Sequence, residues 1–108
     1  MPNIFDGNNW LAVFRPESGG PAGTVDSTQI DRPPSLQEMQ RLVGGYVELV
    51  VHQHYAGTPF QVFVNEEGLL KNMEANIEGS LFLWRHTARR DILVGPVVVL
   101  SGKKAVWK

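Results

Sequence analysis

Between Pro34 and Glu48 the sequence spells out a helix, both of its ends and the strand that follows. Ser35 is a residue type favoured at a helix N-cap. Glu38 stands three positions on, where its side chain can return to the Ser35 backbone N–H, so the two form a capping box. Leu36, Met39, Leu42 and Val43 then recur at helical spacing and make one apolar stripe. Gly44 falls where a helix ends in a left-handed residue, a conformation that costs glycine little. From Tyr46 to His54 β-branched residues and alternation take over, and the apolar period drops from about 3.6 to 2. A helix over 35–43 therefore runs directly into a strand, and the other elements must accommodate that pair.

The new strand alternates so that Val47, Leu49 and Val51 share one face. Tyr46, Glu48, Val50, His52 and His54 share the other. After the loop 55–59, Phe60–Val64 is a second strand, antiparallel to the first because the connection is short. Upstream, residues 1–9 read as an arm, Trp10–Arg15 as a strand ended by Pro16, and Glu17–Gly23 as a turn or mobile loop. Thr24–Ile30 pairs back on the first strand, and Pro33 and Pro34 keep the helix from starting earlier. Downstream, Asn65–Gly68 is a turn, and Leu69–Asn76 has the makings of one or two helical turns. Ser80–Arg90 fits a short helix or part of a strand; the helix is preferred, with Leu81, Trp84 and Ala88 on one face and Arg89 and Arg90 at its C-terminus. Ile92–Leu100 is the strongest strand signal. Its apolar residues do not alternate, so both faces are covered, and Pro96 marks a bulge or an edge. Ala105–Lys108 has the composition of a last short strand. The expectation is an α+β fold: a mainly antiparallel sheet of five or six strands with the capped helix 35–43 packed on it. Residues 1–23 supply an arm, a strand and a loop, and residues 24–108 the remainder of one domain.

Composition narrows the function classes. A chain of 108 residues fits one domain with a small core, and the lack of cysteine excludes disulfides and thiolate metal sites. A net charge of −1 is too balanced for a general nucleic-acid binder. No apolar run reaches membrane-spanning length, and Met1–Asp6 lacks a basic, then apolar, leader pattern; an intracellular protein with no membrane partner is expected.

The run Ser35–Glu48 resembles the opening motif of a family of small uncharacterised domains widespread in bacteriophages, prophages and other mobile elements. Asn65–Asn72, with its Asn-Glu-Glu-Gly turn, and Ile92–Val99, with its Val-Gly-Pro-Val-Val-Val strand, resemble later parts of the same pattern and occur in the same order. The likeness covers residues 24–100. It implies a compact α+β domain of viral or mobile-element origin, working in the host cytoplasm, and carries over no catalytic residue. The first 23 residues and His54–Pro59 depart from the pattern.

Three groups of residues are candidates for chemistry. His52 and His54 lie on one strand face about 7 Å apart, a workable spacing for metal ligands. Glu48 shares that face but is too distant to join them, so a third ligand would have to come from a neighbouring strand; otherwise the pair is simply a solvated face. Glu66 and Glu67 are adjacent carboxylates in a turn, better suited to contacting a ligand than to paired acid–base work, since consecutive side chains diverge. Trp84, Arg85, Arg89 and Arg90, with His86 between them, form the one basic cluster and suit a phosphate or a stacked base; the alternative is a charged outer helix face. Gly19, Gly20 and Gly23 lack the strand-to-helix setting and the lysine of a phosphate-binding loop. Trp10 and Trp107 either close one core together or serve as contact anchors.

With no catalytic constellation in view and no cofactor implied, the expected function is that of a small non-enzymatic binding protein. It would occupy a host protein or sequester a small anionic, nucleotide-type ligand, and inhibition of a defence system is one form of this. A virion or assembly component, with Ile4, Phe5 and Trp10 reaching onto a neighbouring subunit of a homo-oligomer, is the structural alternative. A metal-dependent enzyme built on His52 and His54 is the catalytic one.

Overall fold

The computed structural model of the chain describes residues 2–16 and 23–108. The turn read over Glu17–Gly23 lies, apart from Gly23, outside them. In chain order the elements are β1 (Trp10–Arg15), β2 (Thr24–Gln29), α1 (Leu36–Val43), β3 (Val47–Tyr55), β4 (Thr58–Asn65), α2 (Ile77–His86) and β5 (Val97–Ser101). The five strands form one sheet in the order β2-β1-β5-β4-β3, antiparallel at every step. The fold is α+β. The last strand in sequence is thus central in space, and this explains its unbroken apolar run: every residue of Val97–Ser101 is buried.

Each face of the sheet carries its own core. Val13, Phe63, Val98 and Leu100 pack with Met39 and Val43 of α1 and with Ala105 and Val106. On the other face Ala12, Phe14, Val62, Val64, Val97 and Val99 pack with Phe82 and Leu83 of α2 and with Ile4 and Trp10. Each Val, Leu, Ile, Phe or Met side chain among them, fully buried, stabilises the fold by about 1.5–3 kcal/mol. Trp10 and Trp107 belong to opposite faces and do not close a common core. Ile4 and Trp10 are buried on the chain's own sheet, and Phe5 stacks among Tyr55, Phe60, Phe82 and His86.

The α1 region forms as its sequence dictates. The Ser35 Oγ accepts the Glu38 N–H at 3.1 Å, and Gly44 closes the helix at φ +81°. Only half of the capping box forms, because the Glu38 carboxylate turns to Arg41 instead, at 3.7 Å. Asn65 then fixes the helix end to β4: its amide donates to the Val43 carbonyl at 3.1 Å.

The C-terminal half departs more from the expected pattern. α2 begins at Ile77 rather than Ser80 and ends at His86, with Thr87 as C-cap; Arg89 and Arg90 lie beyond it, so Arg85 and Arg89 do not share a helix face. Its buried face is Gly79, Ser80, Phe82 and Leu83, not Leu81, Trp84 and Ala88. The helix starts early because Asn76 caps it, accepting the Gly79 N–H at 2.9 Å. The long strand expected over 92–100 shortens to β5, since Gly95 adopts φ +70° and Pro96 has no N–H to pair; Val94 makes only an isolated bridge to Ala75. Ala105–Lys108 is not a strand. The Gln61 side chain does the pairing instead, donating to the Trp107 carbonyl at 2.6 Å and accepting the Trp107 N–H at 2.7 Å.

Candidate functional site

β3 is an edge strand, and its alternation breaks in the middle. Leu49 faces Phe63 and Val51 faces Val62 on β4, so Val50 is an extra residue and the strand bulges there. Val50 and Val51 both pack toward the α2 face as a result. The bulge reverses the parity of everything after it. Glu48 lies opposite Val64, on the α2 side, whereas His52 lies opposite Gln61, on the α1 side. The expected common face of Glu48, His52 and His54 is therefore corrected: only the two histidines share one, and the residues facing them on β4 are Gln61 and Pro59. Among the described residues no three His, Asp or Glu side chains are grouped to hold a metal.

The bulge is held by Arg89. Its Nη1 donates to the Val50 carbonyl at 3.0 Å, while Nε and Nη2 clamp Asp91 Oδ1 and Oδ2 at 2.7 and 2.8 Å. Hydrogen bonding to Arg89 lowers the Asp91 pKa below the usual carboxylate range, and the same bond raises that of the guanidinium, with Glu48 adding to it through space. The segment after α2 is locked further. Trp84 Nε1 donates to the Asp91 carbonyl at 2.7 Å, and Arg90 Nη1 donates to the carbonyls of Trp84, Thr87 and Arg89 at 3.3, 3.2 and 2.7 Å. The basic cluster is thus largely spent on closing its own helix end, and His86 turns inward against Phe5 and Phe82.

Opposite this segment lies the loop after β4. It is neither helix nor open coil: Lys71 N–H donates to the Glu67 carbonyl at 2.8 Å, Met73 N–H to Gly68 at 2.9 Å, and Asn72 stops the turns at φ +54°. Gly68 is required by contact, since a Cβ there would come within 2.9 Å of Val94. Gly95 N–H donates to the Glu74 carbonyl and Asn76 N–H to Leu93, both at 2.8 Å, which ties the loop to the 92–95 segment.

Between bulge, loop and the 89–94 segment runs a groove of about 590 Å³. Val50, Val64, Leu93 and Val94 line it, with Leu49, Leu69, Leu70 and Ile92 among the residues around them. Leu69 and Leu70 are 81% and 86% exposed although the turns that carry them are held by the backbone bonds of Gly68, Lys71, Asn72 and Met73. Glu48, Glu66, Arg89 and Asp91 supply its charges. Of the residues singled out by sequence, Glu66 and Arg89 meet here. Glu67 turns away to Lys71 at 3.7 Å, and Trp84, Arg85, Arg90, His52 and His54 do not line it. The leucine pair and Ile92 were the missed residues. Their signal was two adjacent leucines after a tight turn with too short a periodic stripe to bury them. A larger hollow of about 850 Å³ beneath Gln29–Ser35 and Glu38 is walled mainly by the proline-bent lead-in to α1 and presents only Asp31, Arg32 and Glu38 as charged groups.

Comparison with known proteins gives a family and nothing finer. The chain belongs to the family described as a domain of unknown function (DUF3846), whose model matches residues 13–105. No curated protein and no solved structure matches the chain.

Proposed function

We propose that this domain is a small non-enzymatic binding protein of a phage or mobile element, acting in the host cytoplasm by occupying a host protein through the groove beside β3. Inhibition of a defence component is the form of activity that suits such an origin. The origin rests on the resemblance of the Ser35–Glu48, Asn65–Asn72 and Ile92–Val99 runs to mobile-element domains. The binding mode rests on one observation: three of the large apolar side chains the fold leaves exposed, Leu69, Leu70 and Ile92, line a single groove. Scattered exposed leucines need no explanation, but a contiguous apolar patch rimmed by charge is the mark of an interaction surface. A protein partner is favoured over a nucleotide-type ligand because Arg89, Arg90 and Trp84 already satisfy carbonyls and Asp91.

The test compares the wild type with Leu69→Ser/Leu70→Ser for stoichiometric retention of a host protein during purification from producing cells. The reading expects one partner that the double variant loses while keeping its thermal midpoint. Equal retention by both forms, or no protein partner at all, would overturn it.

A further inference from the structure

The groove has a charge as well as a shape. Among the described residues Arg89 is the sole cation lining it, and its guanidinium is clamped by both oxygens of Asp91. Lys71, on the adjoining loop, pairs with Glu67. That leaves Glu48 and Glu66, neither of which makes a salt bridge among the described residues. Their positions are set by backbone. Glu48 faces Val64 across the β3–β4 ladder, and the Glu66 N–H donates to the Tyr46 carbonyl at 2.8 Å. Two unpaired carboxylates thus border an apolar channel whose one positive group is already neutralised.

We infer that the occupant of this groove is a peptide segment of the partner in which apolar anchors are flanked by lysine or arginine, the anchors seating among Leu69, Leu70 and Ile92 and the cations facing Glu48 and Glu66. The inference deepens the protein-binding reading above and depends on it. Charge complementarity of this kind sets partner choice and encounter rate more than raw affinity. An acidic segment would meet two unpaired carboxylates and is rejected. A full sixth strand along β3 is not expected, because the bulge and the Arg89 bond to the Val50 carbonyl interrupt that edge. The segment therefore binds by its side chains.

Fluorescence anisotropy with three short labelled peptides tests this. All carry leucine at the same positions, with lysine, glutamine or glutamate between them. The lysine peptide should bind at least about tenfold more tightly than the glutamate peptide, and its affinity should fall with added salt. Glu48→Gln/Glu66→Gln should weaken the lysine peptide about fivefold or more, whereas Glu74→Gln/Glu78→Gln, an equal charge change on other exposed residues, should leave it unchanged. Equal effects of the two double variants would overturn the inference by reducing it to net charge. Equal binding of all three peptides, lost together in Leu69→Ser/Leu70→Ser, would also overturn it, yet leave the groove as a protein site. No peptide binding, with a partner still retained by the wild type and lost by that variant, would refute the linear cationic segment alone.

Discussion

Asn76 shows how much one side chain can carry. It is fully buried, donates through Nδ2 to the Phe14 and Gly95 carbonyls at 2.7 and 2.9 Å, and accepts the Gly79 N–H. It joins β1, the turn before β5 and the start of α2 in one residue. Removing it leaves three buried polar groups without partners, each costing about 1–3 kcal/mol. Asn76→Ala is expected to lose about 3 kcal/mol or more in urea unfolding, a large share of a small domain's stability. Asp91 contributes to the pH dependence. Its folded pKa lies below that of the unfolded chain, about 3.9, so its contribution is full above that value and is lost as pH falls through the folded pKa. Asp6 acts with the same sign through its bond to Trp10 Nε1 at 2.9 Å. As pH falls below about 4 the urea midpoint of the wild type should fall more than that of Asp91→Asn.

At the scale of elements, the parts legible in sequence were those whose signals are local. The Ser35 cap, the Gly44 stop and the β1–β2 hairpin stand where local spacing puts them. Ser35→Ala is expected to lower stability by about 1 kcal/mol, read as a shifted denaturation midpoint. The bulge was not legible. Val47–Val51 contains three valines and a leucine that alternate well enough to hide an extra residue, and only pairing with Val62 and Phe63 reveals it. The true start of α2 was hidden likewise, because Asn76 reads as the end of the turns over 69–76 until its amide finds the Phe14 carbonyl 62 positions away. The basic cluster looked like a ligand site because sequence lists charges without their partners. Its bonds to Asp91, Val50 and the helix end come from chain reversal after His86. Arg89→Ala should release the bulge, seen as faster amide exchange at Val50, Val51 and residues 88–92, with slower change in the β1–β2 hairpin.

At the scale of the molecule, the central sheet is covered on both faces and has β2 and β3 as its edges, and the proposed recognition surface lies at the β3 edge. Both faces are closed by segments the chain supplies itself: α1 and residues 105–107 on one, α2 and the Ile4–Phe5 arm on the other. Leu69 and Leu70 belong to neither core, so the proposed binding can be removed without touching the packing. Leu69→Ser/Leu70→Ser should change stability by no more than about 0.5 kcal/mol. The groove was illegible as a site in sequence because its residues come from β3, the loop after β4 and the 89–94 segment, which only the fold brings together. The most direct measurement places a photo-crosslinking side chain at position 70, and in a second form at Ile77, another exposed apolar residue, on α2, in producing cells. A discrete adduct with one host protein from position 70 and none from position 77 is the predicted result; no adduct from 70, or the same adducts from both, would contradict it.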